Sequence, residues 1–442
     1  MFKSMLKEAR SIAQQIRDAG FDCRIVGGAV RDMLMGKDPK DLDMVTTAFP
    51  DELEEIFPDI RWAGRSFGVS LLKRGNFTFE LASSRLERTY LDGRHPEEIK
   101  FSRDLKSDVV RRDFTVNALL CDPFSLEVTD FSGGVEDLKK GIIRTVGDPE
   151  VRFSEDALRM LRAVRFASMR GFTLEENTLL AIKKLSHAVK LLAAERVKSE
   201  LDRIFTSPGR VYALKVMSET GLLKELLPEV DALKGVEQEK EFHPEGDVFT
   251  HTAIMLERMA MPDPALAWSV LLHDIGKAVT TFTDSNGRIR AFGHEEKGAD
   301  MAYDIAMRLK FSVQQRDAVV AAVRNHMRMA HVRDMRTAKL KRLICDENFP
   351  LELELHRLDC ISSHKFMECW LFLIDQLVST PLEVLKQKPL VTGSDLISLG
   401  AKPSPIFKKL LDELFDRQLA GEFPDKNSAV SAAKQLLDKY HA

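Results

Sequence analysis

Apolar positions change their period partway along the chain. Up to about residue 150, the runs CRIVGGAV, VSLLKRG and FTFELASS read as short strands, punctuated by Gly, Asn or Ser and separated by helix-period segments. After Pro149, SEDALRMLRAVRFASM, ENTLLAIKKLSHAVKLL and ERVKSELDRIF place apolar residues three and four apart, the spacing of amphipathic helices. Ser154, ahead of Glu155 and Asp156, reads as a helix start, its hydroxyl capping free amides while the acids face the positive helix end. The opening segment MFKSMLKEARSIAQQIRDAG is helical in period and lacks the apolar core of a secretion signal. These patterns predict an α+β unit over 1–150 and helical segments over 151–240. A histidine-rich helical unit follows over 241–365, then a polar helical tail over 366–442, broken near PLEVLKQKP and AKPSP.

Composition narrows the class. Hydrophobic residues at 44% and charged residues at 30% exclude a disordered, collagen-like or disulfide-framework chain. A net charge of −3 carries no overall basic signature, so any nucleic-acid footprint is local. Such a strip exists: from Lys139 to Arg203 there are 14 Lys and Arg against 9 Asp and Glu. No apolar run of about 18 residues is present, so no membrane span is expected. Five scattered cysteines fit a reduced, cytoplasmic setting.

The first chemical signal is VGGAVRDMLMGKDPKDLDMV. Asp41 and Asp43 alternate with Leu42 and Met44, which puts both carboxylates on one strand face, where they can bridge a pair of Mg²⁺ ions. Such a pair clamps the attacking and leaving oxygens of a phosphoryl displacement. Gly27 and Gly28 let a backbone turn approach a triphosphate, and Arg31 neutralises it. Glu80, between apolar neighbours in FTFEL, supplies a third acidic strand position. Alone, a GG turn followed by DxD describes a solvated loop equally well.

Further along come RRDFTVNAL, DFSGGVEDLKKGIIRTVGDP, SEDALRMLRAVRFA and ERVKSELDRIF. In this order they resemble the class II tRNA nucleotidyltransferases, that is, the CCA-adding enzymes and their relatives the bacterial poly(A) polymerases. The resemblance is strong over roughly residues 20–210 and weak beyond. It implies a polymerase-β-like nucleotidyltransferase head followed by an all-α neck, body and tail. By motif match, Asp41 and Asp43 would hold the catalytic metals, with Arg31 and Asp32 beside the triphosphate. Arg112 would contact phosphates, and Asp113 and Asn117 the ribose and phosphates. The polar segment between Arg85 and Arg111 reads as a mobile loop, which in this family permits the switch from C to A addition; its full length argues against a CC-only enzyme.

Asp156 and Arg159 lie three apart, so on a helix they share a face. The bland alternative is an ion pair worth about 0.2–0.5 kcal/mol. The chemistry nonetheless suits base selection: cytosine and adenine each offer an amino donor beside a ring-nitrogen acceptor, whereas guanine and uracil present the reverse. A matched bidentate contact discriminates by about 1–3 kcal/mol. The family assigns this protein-template role to the motif, which carries it to Glu155, Asp156 and Arg159. Arg162 and Arg165 continue the same helix as candidate phosphate or RNA contacts.

The second signal is FHPEGDVFTHTAIMLERM, LAWSVLLHDIGKAVTT, FGHEEKGADMA, VRNHMRM and LELHRLDCISSH. His273–Asp274 falls in an apolar helix, where a carboxylate is costly unless paired or bound to metal. With His251, His294, His326 and Asp359 it resembles the HD superfamily of metal-dependent phosphohydrolases. That donor set suits a divalent transition metal or Mg²⁺ and can activate water toward a phosphoester. The resemblance implies 2′,3′-cyclic phosphodiesterase or phosphatase activity on RNA ends, or a retained structural metal site. Lys277 reads as an exposed helix-end lysine.

The expected function is therefore template-independent addition of CCA to tRNA from CTP and ATP, with the acceptor stem and 3′ end as the RNA partner. The alternatives are an A-adding enzyme acting on tRNA ending in CC, a poly(A) polymerase, and, from a different class, an HD phosphohydrolase with a degenerate head.

Overall fold

The computed structural model describes residues 1–86, 100–385, 387–402 and 404–441. The loop expected between Arg85 and Arg111 falls largely on 87–99, outside the described residues. The chain divides into two compact units, Met1–Asp231 and Ala232–Ala442.

The first unit is built on strands β1 (Cys23–Val26), β2 (Asp43–Thr46), β3 (Arg61–Gly64), β4 (Val69–Arg74) and β5 (Phe77–Ser83), then β6 (Arg85–Leu86), β7 (Lys100–Phe101), β8 (Leu119–Cys121) and β9 (Val128–Asp130). Seven of them form one sheet in the order β3-β4-β5-β2-β1-β8-β9, with β2 and β5 parallel and the other neighbours antiparallel. The helix Phe2–Asp18 buries Met5, Ala9, Ile12 and Ile16, spaced three and four apart, in one core with Ile25, Met44, Leu72 and Phe79. The expected strand CRIVGGAV is a strand only through Val26. Gly27 takes φ +75°, a left-handed conformation open to glycine, and Gly28 opens the helix Gly28–Leu34.

Beyond residue 148 the first unit is mainly helical. Asp148, not Ser154, starts the run: its carboxylate accepts from the amides of Glu150 (2.8 Å) and Val151 (3.3 Å), with Pro149 in the first turn of Pro149–Glu155. Ser154 sits near the end of that helix and donates back to the Glu150 carbonyl at 2.7 Å. Asp156 is extended (φ −149°, ψ 104°) and accepts from the Leu158 amide at 3.0 Å, at the head of the next helix, Leu158–Arg170. The expectation that Asp156 and Arg159 share one helix is therefore corrected: a break separates them.

The second unit holds the helices Val248–Arg258, Pro264–Leu272, His294–Arg308, Val313–Asn325 and Phe349–Ser362. Pro264–Leu272 buries every residue from Leu266 to Leu272, which marks it as the central helix of this unit. The C-terminal helices are more than a polar tail: Val391, Leu396, Leu410, Leu414, Ala433 and Leu437 form their own core. Among the described residues, no helix is long and apolar enough to cross a membrane.

Candidate active sites

In the first unit, the parallel pairing of β2 with β5 begins at Met44 opposite Leu81, so Asp43 and Glu80 stand one residue earlier on adjacent strands, on the face opposite those two buried side chains. Asp41 precedes β2 rather than lying in it, yet the alternation persists in burial: Asp41 is exposed, Leu42 buried and Asp43 half-buried. Burial pushes the Asp43 carboxyl up to about 6, and the charges of Glu80 and Asp41 add to the shift against opposition from Arg112. Carboxylates that crowd one another in this way call for a cation, and their hard oxygens suit Mg²⁺.

The glycine turn sits beside two guanidiniums. A Cβ on Gly27 would lie 3.2 Å from Arg112 Nη1, and one on Gly28 would lie 3.2 Å from Arg31 Nη2. Arg31 is buried; it donates to the Asn117 side-chain oxygen and contacts Asp32 at 3.1 Å, while Arg170 reaches Asp32 at 3.0 Å. Burial holds the Arg31 guanidinium below its ordinary value, and Arg170 adds to this, so an incoming anion would relieve the site. Although burial opposes it, Arg162 at 2.5 Å holds the Asp113 carboxyl below the usual range, and Asn117 donates to the same side chain at 3.3 Å.

The candidate base-reading residues occupy separate pairs. Arg159 contacts Glu155 at 2.5 Å, Arg152 contacts Glu155 at 2.5 Å, and Asp156 contacts Arg196 at 3.1 Å. Arg152 also donates to the Arg112 carbonyl at 3.1 Å, which ties this segment to the arginine beside the glycine turn. Arg165 departs from its expected role: it is buried and paired with the buried Glu200 at 2.6 Å, a packing contact between helices.

The second unit gathers its ligand types in a buried cluster beside a cavity of about 480 Å³. His251 comes from Val248–Arg258, and His273 and Asp274 follow the end of Pro264–Leu272 rather than lying within an apolar helix. His294 opens His294–Arg308, His326 follows Val313–Asn325, and Asp359 lies in Phe349–Ser362. Gly276 makes this possible, because a Cβ there would fall 2.1 Å from the His294 carbonyl oxygen. Each histidine Nδ1 has a partner: Glu245 for His251 (2.6 Å), and the carbonyls of Val270, Ala291 and Val323 for His273 (2.9 Å), His294 (2.7 Å) and His326 (2.6 Å). Those bonds turn the four Nε2 atoms toward the cluster, the arrangement of metal-ligating imidazoles. His251 Nε2, His273 Nε2 and Asp274 Oδ1 are buried without hydrogen-bond partners, which a bound cation would supply.

Burial opposes it, but Asp359 and Glu245 together push His251 up to about 9. Lys277 is not an exposed lysine: it bonds Asp274 Oδ2 at 2.7 Å and Gln238 at 2.8 Å. Sequence reasoning missed Glu245, although its place six residues before His251 in HPEGDVFTH was a usable signal. It also missed Arg170 and Arg196, whose partners are far away in the chain.

Residues 23–144 match the model of the poly A polymerase head domain, 171–234 the probable RNA and SrmB-binding site of polymerase A, and 247–353 the HD domain. A CCA-adding enzyme of Lactobacillus helveticus is 40% identical over 219 residues, which is 50% of this chain and 55% of that protein. In that alignment, and in others like it, the chain spans about half the length of the relative. A CCA-adding enzyme of Levilactobacillus brevis is 30% identical over 426 residues, 96% of each chain. The crystal structure of the Bacillus stearothermophilus CCA-adding enzyme in complex with CTP superposes with a TM-score of 0.70 at 25% identity, covering 99% of this chain and 98% of that one.

Proposed function

Because the chain belongs to the CCA-adding enzyme family, we propose that it builds the 3′-terminal CCA of tRNA from CTP and ATP and releases pyrophosphate. The observation that carries this reading is the crowding of Asp43 by Glu80 and Asp41 beside a glycine turn flanked by Arg31 and Arg112. Asp41 and Asp43, with Glu80 alongside, would hold Mg²⁺, and the ion would supply charge neutralisation for an in-line displacement at the α-phosphate. Gly27 and Gly28 admit the triphosphate to the backbone, and Arg31 and Arg112 take its charge. Asp32 is shared by Arg31 and Arg170 and keeps both guanidiniums in place. Asp113, kept ionised, orients Arg162 and presents Asn117 to the sugar. The RNA 3′-hydroxyl attacks, and the pyrophosphate leaves along the arginine side.

Base choice falls to Asp156 and Arg159. Reading cytosine or adenine requires Asp156 to accept from the exocyclic amine and Arg159 to exchange its Glu155 partner for the ring nitrogen. Guanine and uracil would leave both groups facing their own kind, with a penalty of about 1–3 kcal/mol. The basic strip from Lys139 to Arg203 is the proposed RNA-facing surface, with Arg162 on it and Arg165 excluded by its pairing.

The cavity of the second unit is proposed to hold a divalent transition metal or Mg²⁺ and to hydrolyse phosphoesters on RNA ends. The orphaned, buried Nε2 atoms support that reading. The proposed location is the bacterial cytoplasm, where five free cysteines stay reduced.

Primer extension tests the main reading, using purified protein, Mg²⁺ and transcripts ending at the discriminator base, after C, or after CC. Growth of all three to CCA followed by arrest is expected. Adenylation of only the CC-ended transcript would make the protein an A-adding enzyme, and unlimited adenylation a poly(A) polymerase.

A further inference from the structure

Three phenylalanine rings of the second unit reach into water around the histidine–aspartate cavity. Phe292 is 73% exposed, Phe282 48% and Phe242 44%, and both Phe292 and Phe242 line the cavity. A ring as exposed as Phe292 adds little to folding, and isolated ones are common on protein surfaces. These are not isolated. Phe292 follows a two-stranded hairpin, Phe282–Thr283 with Ile289–Arg290, and the Phe282 and Phe292 rings pack 5.9 Å apart. Immediately before Phe292, the Ala291 carbonyl is bonded to His294 Nδ1 at 2.7 Å; immediately after it, Gly293 takes φ +71° and turns the chain into His294–Arg308. Phe292 is therefore held at a fixed place relative to a candidate ligand.

Phe242 arrives on a separate segment that is tied to the same frame. The Glu239 carbonyl accepts from the Phe242 amide at 3.1 Å, and the Glu239 carboxylate accepts from the Ile289 amide of the hairpin at 3.2 Å. Its neighbour Gln238 accepts from Lys277, which also donates to Asp274 Oδ2. The ligand residues are buried and the rings exposed, so the rings stand at the mouth of the cavity. Lys277 and Arg290 bring positive charge to the same space. Its volume of about 480 Å³ falls within the span of small-ligand sites, about 300–1,000 Å³.

A phosphoester joined to a flat ring system matches this division, with the phosphate among the ligand residues and the ring on the phenylalanines. A ringless sugar or polyol phosphate would leave the aromatic mouth in water. We propose that Phe292, braced by Phe282, forms with Phe242 a stacking platform for the nucleobase of the ribonucleotide whose phosphoester enters the cavity. Every base has a π face, so such a platform takes all four and selects against phosphoesters that carry no ring. The inference rests on the reading of the cavity as a phosphoesterase site and adds the part of the substrate it recognises and the residues that do so.

The test uses the full chain loaded with Mn²⁺, without nucleoside triphosphates. The substrates are the 2′,3′-cyclic phosphates of adenosine, guanosine, cytidine and uridine, with glycerol 2-phosphate as a ringless competitor. Phe292→Ala is expected to raise KM for all four by about 5- to 150-fold, the worth of one base stack. Turnover and inhibition by glycerol 2-phosphate should stay the same, because the lost contact is made equally before and during reaction. Phe292→Tyr should keep the original KM, and Phe292→Leu, apolar but ringless, should not. Phe242→Ala should act in the same direction, which keeps the test open if Phe292→Ala fails to fold. Unchanged KM, full recovery by leucine, or an equal loss of glycerol 2-phosphate binding overturns the platform and leaves the phosphoesterase reading standing. If no cyclic phosphate is cleaved, that reading fails, and equilibrium dialysis with adenosine 2′-monophosphate decides the platform. Weaker binding to Phe292→Ala than to Phe292→Tyr supports it; equal binding overturns it.

Discussion

The two candidate sites present their ligand groups in opposite ways. In the first unit, Asp41 and Glu80 are exposed and Asp43 half-buried, on and beside two central strands where the carboxylates crowd one another and Arg112 supplies the opposing charge. In the second, His251, His273 and Asp274 are each at most 2% exposed, and every imidazole is turned inward by a bond to its other nitrogen. The first arrangement suits an ion that arrives and leaves with a nucleotide, because Mg²⁺ keeps much of its water and takes few protein ligands. The second is oriented before the ion arrives and suits one that stays. On the proposed reading, one chain carries a substrate-linked cation site and a resident one, and the difference lies in burial and outer-layer hydrogen bonds more than in the identity of the ligands.

The largest effect that could break this comparison comes from the first site. Asp41→Ala with Asp43→Ala removes several kcal/mol of charge stabilisation and should lower nucleotide incorporation by about 10³-fold or more. The metal content of the second unit should be unchanged, as read by elemental analysis of the same preparation. A double variant that keeps incorporating nucleotide would refute the assignment.

Glu245→Gln acts on the other half. Its carboxylate holds His251 Nδ1 at 2.6 Å, and loss of such a partner lowers metal affinity by about 10–100-fold. Competition with a fluorescent chelator measures this, and incorporation should not change. For base selection, Asp156→Ala should cost about 1–3 kcal/mol of discrimination against GTP and UTP. Unchanged discrimination in single-nucleotide assays would end the template role.

The smallest effect is in pH. Asp43, raised to about 6, is ionised above that value, so its contribution to Mg²⁺ binding is flat from pH 6.5 to 8.5 and weakens as pH falls below about 6. His251, raised to about 9 in the absence of metal, must give up a proton when an ion binds, so uptake in the second unit should strengthen by up to about tenfold per unit toward pH 9. Metal titrations at several pH values should separate the two slopes, and parallel slopes would remove the distinction.

Legibility in the sequence follows the same division between local and distant. Asp41, Asp43, Gly27, Gly28 and the His273–Asp274 pair were readable because their chemistry is contained in short segments. Glu80 was reachable from strand alternation, and its pairing level with Asp43 depends on β2 meeting β5, which no local pattern encodes. Ser154 misled because a hydroxyl before two acids resembles a cap, whereas Asp148 with Pro149 had already started the helix. Arg165 misled because periodicity places it on a helix without saying that Glu200, from another helix, lies against it. Asp156 and Arg159 were read as neighbours on one face, but the interruption of the helix at Asp156 gives each a partner elsewhere.

The close approach of Gly276 to the His294 carbonyl makes the spacing between Asp274 and His294 a property of the main chain. Side chains set the donor chemistry of the cavity; the backbone decides how far apart Asp274 and His294 stand. Exchanging a ligand would retune chemistry at fixed geometry, whereas a single methyl at position 276 would change the geometry with every ligand still in place. For anyone redesigning this cavity, those are two independent controls.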